Sequence, residues 1–277
     1  MKSKLVVLSF VAMLQIGIHT LNAQEFGIQL YSLRNQFKTD VEGSLKTIHD
    51  WGIVNLEGGG TYGLSFEDFD ALLDTYKLDV VSVGASYDDL KNQPEKVLAN
   101  AKRFTAPYVM CAWIPHEGNT FDIENVKEAV KVFNAAGKLL KEEGITLTYH
   151  AHGYEFRPYK DGTLFDYMAQ HAVDFAFEMD VYWVHHGGED PIRLLNKYPE
   201  KIALLHLKDM EKGIKGNNTG HEDVETNVVL GTGQIDIAAV VKRAREIGVV
   251  KYMFIEDECS RVVEQVPQSL QFLKGIK

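Results

Sequence analysis

Residues 145–180 read ITLTYHAHGYEFRPYKDGTLFDYMAQHAVDFAFEMD, and the alternation inside this stretch decides the fold. A short apolar, β-branched run at 145–150 predicts a strand, an amphipathic pattern at 164–171 predicts a helix, and 173–180 predicts a second strand. Two strands separated by a helix pair in parallel through a right-handed crossover. Working outward, the same alternation places strands at 26–31, 53–57, 78–85, 108–114, 202–209 and 251–257. Helical patterns fall at 41–51, 66–76, 90–104, 126–143, 191–197, 237–247 and 262–273. Eight strand–helix units in a chain of this length fit a closed (β/α)8 TIM barrel, which takes roughly 250 residues. A doubly wound open sheet would more often carry a glycine-rich turn after its first strand. Here that strand runs into Tyr31-Ser-Leu-Arg34, without glycine. The expected architecture is therefore a single α/β TIM barrel.

Composition excludes several classes. A chain of 277 residues that is 45% hydrophobic and 25% charged matches a soluble globular protein, not a disordered, collagen-like or polytopic membrane one. Acidic residues outnumber basic ones by 39 to 29 and no basic run appears, which argues against a nucleic-acid partner. Cys111 and Cys259 are expected to be independent thiols. Lys2 and Lys4, the apolar run 5–18 and Leu21-Asn-Ala23 read as a signal peptide over 1–23. Its apolar core is shorter than the ~20 residues that span a bilayer, so no membrane anchor is expected after cleavage. The domain plan is then a signal peptide at 1–23 and one catalytic barrel at 24–277, in a periplasmic or secreted protein.

In such barrels, side chains at the C-terminal ends of the strands project into the active-site mouth. Read in order, those ends offer Gln29 and Tyr31, Glu57, Ser86, Trp113 and His116, then His150, His152 and Glu155. Glu178, Asp180 and Trp183 follow, then His206 with Lys208 and Asp209, and finally Glu256-Asp-Glu258. Carboxylates gathered in a concave site repel one another, and a divalent cation removes that cost. A mixed set of carboxylates and imidazoles suits Mn2+, Co2+, Zn2+ or Fe2+ better than Ca2+, and the lack of a thiolate argues against a closed structural zinc. Trp113, Trp183, Tyr31 and Tyr62 offer aromatic platforms for a neutral sugar ring. The glycine- and charge-rich stretch 210–234 follows the seventh strand and is expected to cover the substrate.

At these residues the chain resembles the xylose isomerase-like TIM barrel superfamily, which includes sugar phosphate isomerase/epimerases, inosose dehydratases, keto-sugar epimerases and 3-keto-glycoside lyases. The resemblance is carried by Gly27-Ile-Gln-Leu-Tyr-Ser-Leu-Arg34, Tyr149-His-Ala-His152 with Glu155, Asp180-Val-Tyr-Trp183, His206-Leu-Lys-Asp209 and Ile255-Glu-Asp257. It implies a metal set of Glu155, Asp180, His206 and Glu256, with His150 as the alternative to Glu155 on the fifth strand. It also implies acid/base roles for His152 and Glu57, an oxyanion-stabilising role for Lys208, and substrate contacts from Gln29, Tyr31, Trp113, His150 and Trp183. The implied chemistry is proton abstraction beside a metal-polarised carbonyl of a non-phosphorylated sugar, giving isomerisation or epimerisation. A keto-glycoside lyase would use the same step, and a non-catalytic sugar-binding barrel is the alternative of another class. A homo-oligomer is compatible with the sequence, which does not decide it. Edman sequencing of the exported protein is expected to begin at Gln24; a chain that begins at Met1 or Lys2 removes the signal peptide.

Overall fold

In the computed structural model, which describes residues 25–277, every predicted strand is present and the eight close on themselves. They are β1 Glu25–Gln29, β2 Asn55–Gly58, β3 Asp79–Gly84 and β4 Tyr108–Cys111, then β5 Thr146–His150, β6 Phe175–Asp180, β7 Ile202–Leu207 and β8 Tyr252–Ile255. Each pairs in parallel with its chain neighbours, and β1 meets β8 through Glu25–Tyr252 to Ile28–Ile255. The chain is a (β/α)8 barrel. The predicted signal peptide at 1–23 lies outside the described residues.

Eight outer helices cover the sheet: α1 Val41–Asp50, α2 Phe66–Tyr76, α3 Pro94–Arg103 and α4 Ile123–Glu142, then α5 Leu164–His171, α6 Pro191–Lys197, α7 Ile237–Ile247 and α8 Val262–Lys274. Side chains of Asp40, Ser65, Asp122, Thr163, Asp190 and Asp236 accept the first free backbone N–H groups of six of them, which sets where each begins. The helix expected at 90–104 is two helices. Ser86 caps Tyr87–Asn92, and Pro94, which has no N–H and forces Gln93 out of helical geometry, starts the second. β1 stops two residues short of expectation because the Gln29 side chain accepts from the Tyr31 N–H and turns the chain into a 3-10 helix at Leu30–Leu33. A helix at Val181–His186, not expected from sequence, follows β6 because Asp180 caps it.

Strand alternation divides the buried residues. Ile28, Leu56, Leu147, Phe177, Leu205 and Ile255 pack outward against the helices in the main core. Leu204 and Phe254, with Val81, form a separate small apolar cluster. His206 and Glu256 share parity with Leu204 and Phe254, so the barrel interior changes from apolar to ionisable toward the C-terminal ends of the strands. Cys111 and Cys259 are buried free thiols.

The long segment after β7 is tied down at its base. Asp209–Met210 pairs antiparallel with Asn227–Val228. The Asp209 carboxylate accepts from the backbone N–H groups of Met210, Gly231, Gly233 and Ile235 at 2.8, 2.9, 2.9 and 3.1 Å. Gly233 must be glycine there, since a Cβ would overlap that carboxylate. Four donors on one buried carboxylate make this a strong local anchor. Asp209→Ala should therefore lower unfolding stability by about 3 kcal/mol and speed proteolysis within 211–234. An unchanged urea midpoint and cleavage pattern would show that the loop is held elsewhere.

Candidate active site

At the upper end of the barrel, β5, β6, β7 and the residue after β8 bring together His150, Asp180, His206 and Glu256. One donor atom from each lies within 4.8 Å of the others, and all four residues are buried. His150 Nε2 is 3.2 Å from Asp180 Oδ2. His206 Nδ1 stands 3.4 Å from Glu256 Oε2 and 3.9 Å from Asp180 Oδ2. The other oxygen of Asp180 caps the helix that follows, accepting from Tyr182 and Trp183 at 2.7 and 3.0 Å, so the carboxylate cannot rotate away.

Beneath this quartet lies a second layer. Glu57 and Glu178 are fully buried; His206 Nε2 is 2.6 Å from Glu57 Oε1 and 3.2 Å from Glu178 Oε1. Gln29 Nε2 donates to the same Glu57 oxygen at 2.7 Å. Burial and the neighbouring Glu57 charge push the Glu178 carboxyl up. Burial disfavours a charge on His206, but the carboxylates of Glu178, Glu256 and Glu57 outweigh it and hold the ring well above its ordinary value.

Above the quartet opens a cavity of about 530 Å3, lined in part by His150, His152, His206, Glu256, Trp183 and Tyr31. The loop after β7 contributes Gly220, His221, Glu222 and Val224 to its wall. Glu222 is held from behind by His186, a fully buried ring whose Nε2 is 3.1 Å from its Oε2. Burial, then the His150 ring, keep His152 well below its ordinary pKa, so it is neutral near pH 7. Lys208 is buried against Glu258 and lies 3.5 Å from Glu256, with its ammonium over the Tyr182 and Trp183 rings at 5.3 and 5.6 Å. Burial works against that charge, yet the two glutamates raise its pKa. Burial likewise works against the Glu256 charge, but Lys208 and His206 bring its carboxyl well below the usual range.

Three expectations change. Glu155 does not enter the quartet. It lies in a 3-10 turn, Tyr154–Phe156, where its carboxylate accepts from the Tyr149 hydroxyl and from the His152 backbone N–H at 2.8 Å. His150 takes the fifth-strand position instead. Trp113 is not among the residues lining the cavity; it is 46% exposed and stacks on His116 at 4.4 Å. Glu57 does not line the cavity: its Oε1 accepts from Gln29 and faces His206, whereas Gln29, whose amide accepts from the Tyr31 N–H and donates to Glu57, does line it as expected. Glu178, read from the sequence at the end of the sixth strand but given no role there, shares strand parity with Asp180 and faces the same way. Glu222 had no such signal, because a loop has no period.

The quartet passes a chemical test for a cation. Buried polar atoms are normally paired, yet His206 Nδ1 has no hydrogen-bond partner while it faces two carboxylates. Two imidazoles and two carboxylates with no thiolate fit a borderline divalent ion such as Zn2+, Mn2+ or Co2+.

Comparison with known proteins shows the family and the fold. The family model for xylose isomerase-like TIM barrels matches residues 49–276. An inosose dehydratase of Clostridium tetani is 32% identical over 104 residues, which is 34% of this chain and 32% of that protein. The chain thus spans about a third of the length of that relative. A solved sugar phosphate isomerase/epimerase from Parabacteroides distasonis superposes with a TM-score of 0.76 at 23% identity, covering 92% of this chain and 100% of that one. The IolI protein, solved with a bound zinc atom, superposes at 0.70 with 14% identity over 91% of this chain and 97% of its own. At such identities the two structures show a shared fold.

The Glu155 position yields a pH test. Burial is the main reason its carboxyl is raised from 4.5 to about 7. Between those values the unfolded chain ionises while the folded chain keeps its proton, so stability is lost as pH rises and levels off above about 7. Glu155→Gln removes that loss, and its stability relative to wild type should grow by on the order of 3 kcal/mol over that range. Urea midpoints at pH 5 and pH 8 measure it; a difference that does not change with pH overturns it.

Proposed function

The chain belongs to the xylose isomerase-like TIM barrel family, and from that membership we propose that it is a divalent-metal-dependent carbohydrate enzyme that removes a proton beside a sugar carbonyl. The observation that carries this reading is the buried quartet of His150, Asp180, His206 and Glu256 at the floor of a ligand-sized cavity. A divalent cation held by those four residues supplies Lewis acidity, which polarises a carbonyl and acidifies the adjoining C–H. Zinc is a natural candidate, being the ion bound by the IolI protein of the same fold.

The remaining work falls to the chain's own groups. His152 is the base: it is neutral, it lines the cavity, and its Nδ1 has no hydrogen-bond partner. Lys208, paired with Glu256 and Glu258 behind the cavity wall, favours the ionised form of Glu256 and sets a fixed positive charge beside the site. Trp183 and Tyr31 flank the sugar ring. Returning the proton to the opposite face epimerises the carbon, and delivering it to the neighbouring carbon isomerises the sugar. Loss of a hydroxyl or glycosidic group from the β-carbon makes the same step a dehydration or a keto-glycoside lyase reaction. The match to an inosose dehydratase favours this eliminating branch as the second reading.

The substrate is a neutral, non-phosphorylated sugar or keto-sugar. Among the described residues, those lining the cavity include Glu222, Glu256 and Glu258 and no lysine or arginine, so a phosphate would meet carboxylates instead of cations. Export by the segment 1–23 would place the enzyme where free sugars are met.

Purified protein should contain one divalent ion and catalyse solvent-deuterium exchange into keto-sugars. His206→Ala and Glu256→Gln should lose both, while His152→Ala should keep the ion and lose exchange by about 100-fold or more. Glu155→Gln should retain the ion. A wild-type protein with neither ion nor exchange sinks the enzyme reading and leaves a sugar-binding barrel.

A further inference from the structure

The layer beneath the quartet has a direction that can be followed atom by atom. The backbone N–H of Tyr31 can only donate, and it donates to Gln29 Oε1 at 3.0 Å. That fixes the Gln29 amide, so its Nε2 must be the atom that donates to Glu57 Oε1 at 2.7 Å. Glu57 Oε1 also faces His206 Nε2 at 2.6 Å, with Glu178 Oε1 at 3.2 Å on the same nitrogen. Two carboxylate oxygens around one ring nitrogen require that nitrogen to carry the proton. His206 Nδ1, on the opposite edge toward Asp180 and Glu256, has no hydrogen-bond partner, so it is the nitrogen that would give up its proton to a cation while Nε2 keeps its own.

We propose that Glu57 is a positioning residue: through the chain Tyr31 N–H, Gln29, Glu57, it fixes both the orientation of the His206 ring and its tautomer, so that Nδ1 is the atom offered to the cation. The proposal rests on the metal reading above and goes beyond it, because it assigns work to Glu57, which is outside the ligand quartet and does not line the cavity. A neutral imidazole has one lone pair and two nitrogens, so an unanchored ring can present the wrong edge. A carboxylate on the distal nitrogen removes that choice and makes the ligand more basic. Both Glu57 and Gln29 are buried, and the network starts at a main-chain donor, so the anchor is part of the barrel itself.

The test uses the full chain, loaded with Zn2+ and labelled with 15N at histidine. In wild type, NMR should find the His206 proton on Nε2 and zinc on Nδ1, and chelator competition gives the reference affinity. Glu57→Gln keeps the shape but replaces the carboxylate by an amide, and zinc affinity should fall about 10- to 100-fold; Glu57→Leu should fall at least as far and lose the single tautomer. Wild-type affinity in Glu57→Gln, or zinc on Nε2 in the wild type, overturns the proposal. So does uptake of a second zinc that Glu178→Gln abolishes, which would make the lower layer a cation site. A wild type that binds no zinc overturns the metal reading itself, an outcome distinct from the others.

Discussion

Repulsion among carboxylates crowded into the upper barrel is the constraint that the rest of the site answers. Glu57, Glu178, Asp180 and Glu256 are all buried, and each would be costly alone. His206 stands between the two layers and faces carboxylates on both edges. Lys208 compensates Glu256 and Glu258, and the capping hydrogen bonds of the Val181–His186 helix compensate Asp180. Buried carboxylate oxygens of Glu57 and Glu178 in the lower layer, and His206 Nδ1 facing Asp180 and Glu256 in the upper one, have no hydrogen-bond partner among the described residues. A dication at the quartet, as proposed, would offset part of this repulsion.

Much of this was legible in the sequence, for a physical reason. Strand parity sets which way a side chain points, and the (β/α)8 count sets which ends share a mouth; together they bring Asp180, His206 and Glu256 to one place before any coordinates are seen. The amphipathic pattern expected as one helix at 90–104 breaks in two because Pro94 starts a new helix instead of continuing the first. Glu155 lies apart from the quartet for a different reason. It sits past the end of β5, where the chain leaves the strand and enters a 3-10 turn, so parity no longer governs its direction. The hydroxyl of Tyr149, from the outward face of β5, captures it there.

Glu57 illustrates a subtler limit. A strand-end position correctly implied an inward carboxylate, yet inward and accessible are different properties. Depth along the barrel axis separates them, and depth follows from the register between neighbouring strands. Gln29 pairs with Glu57 and Asp180 pairs with His206, and the offset between those two pairs is set by the strands that lie between them. That offset is invisible in any single segment and emerges only when the barrel closes.

The anchoring of the long loop through Asp209 has an evolutionary consequence. His206, Lys208 and Asp209 lie within four consecutive positions, so one short segment carries a cation-facing imidazole, the charge-compensating ammonium and the hinge post of the roof. The roof's tip at 220–224 can then be rewritten by insertion or substitution while its footing, and everything below it, stays in register. Selection is free to exchange what the enzyme recognises without disturbing how it reacts, which makes this barrel a chassis with an interchangeable cover.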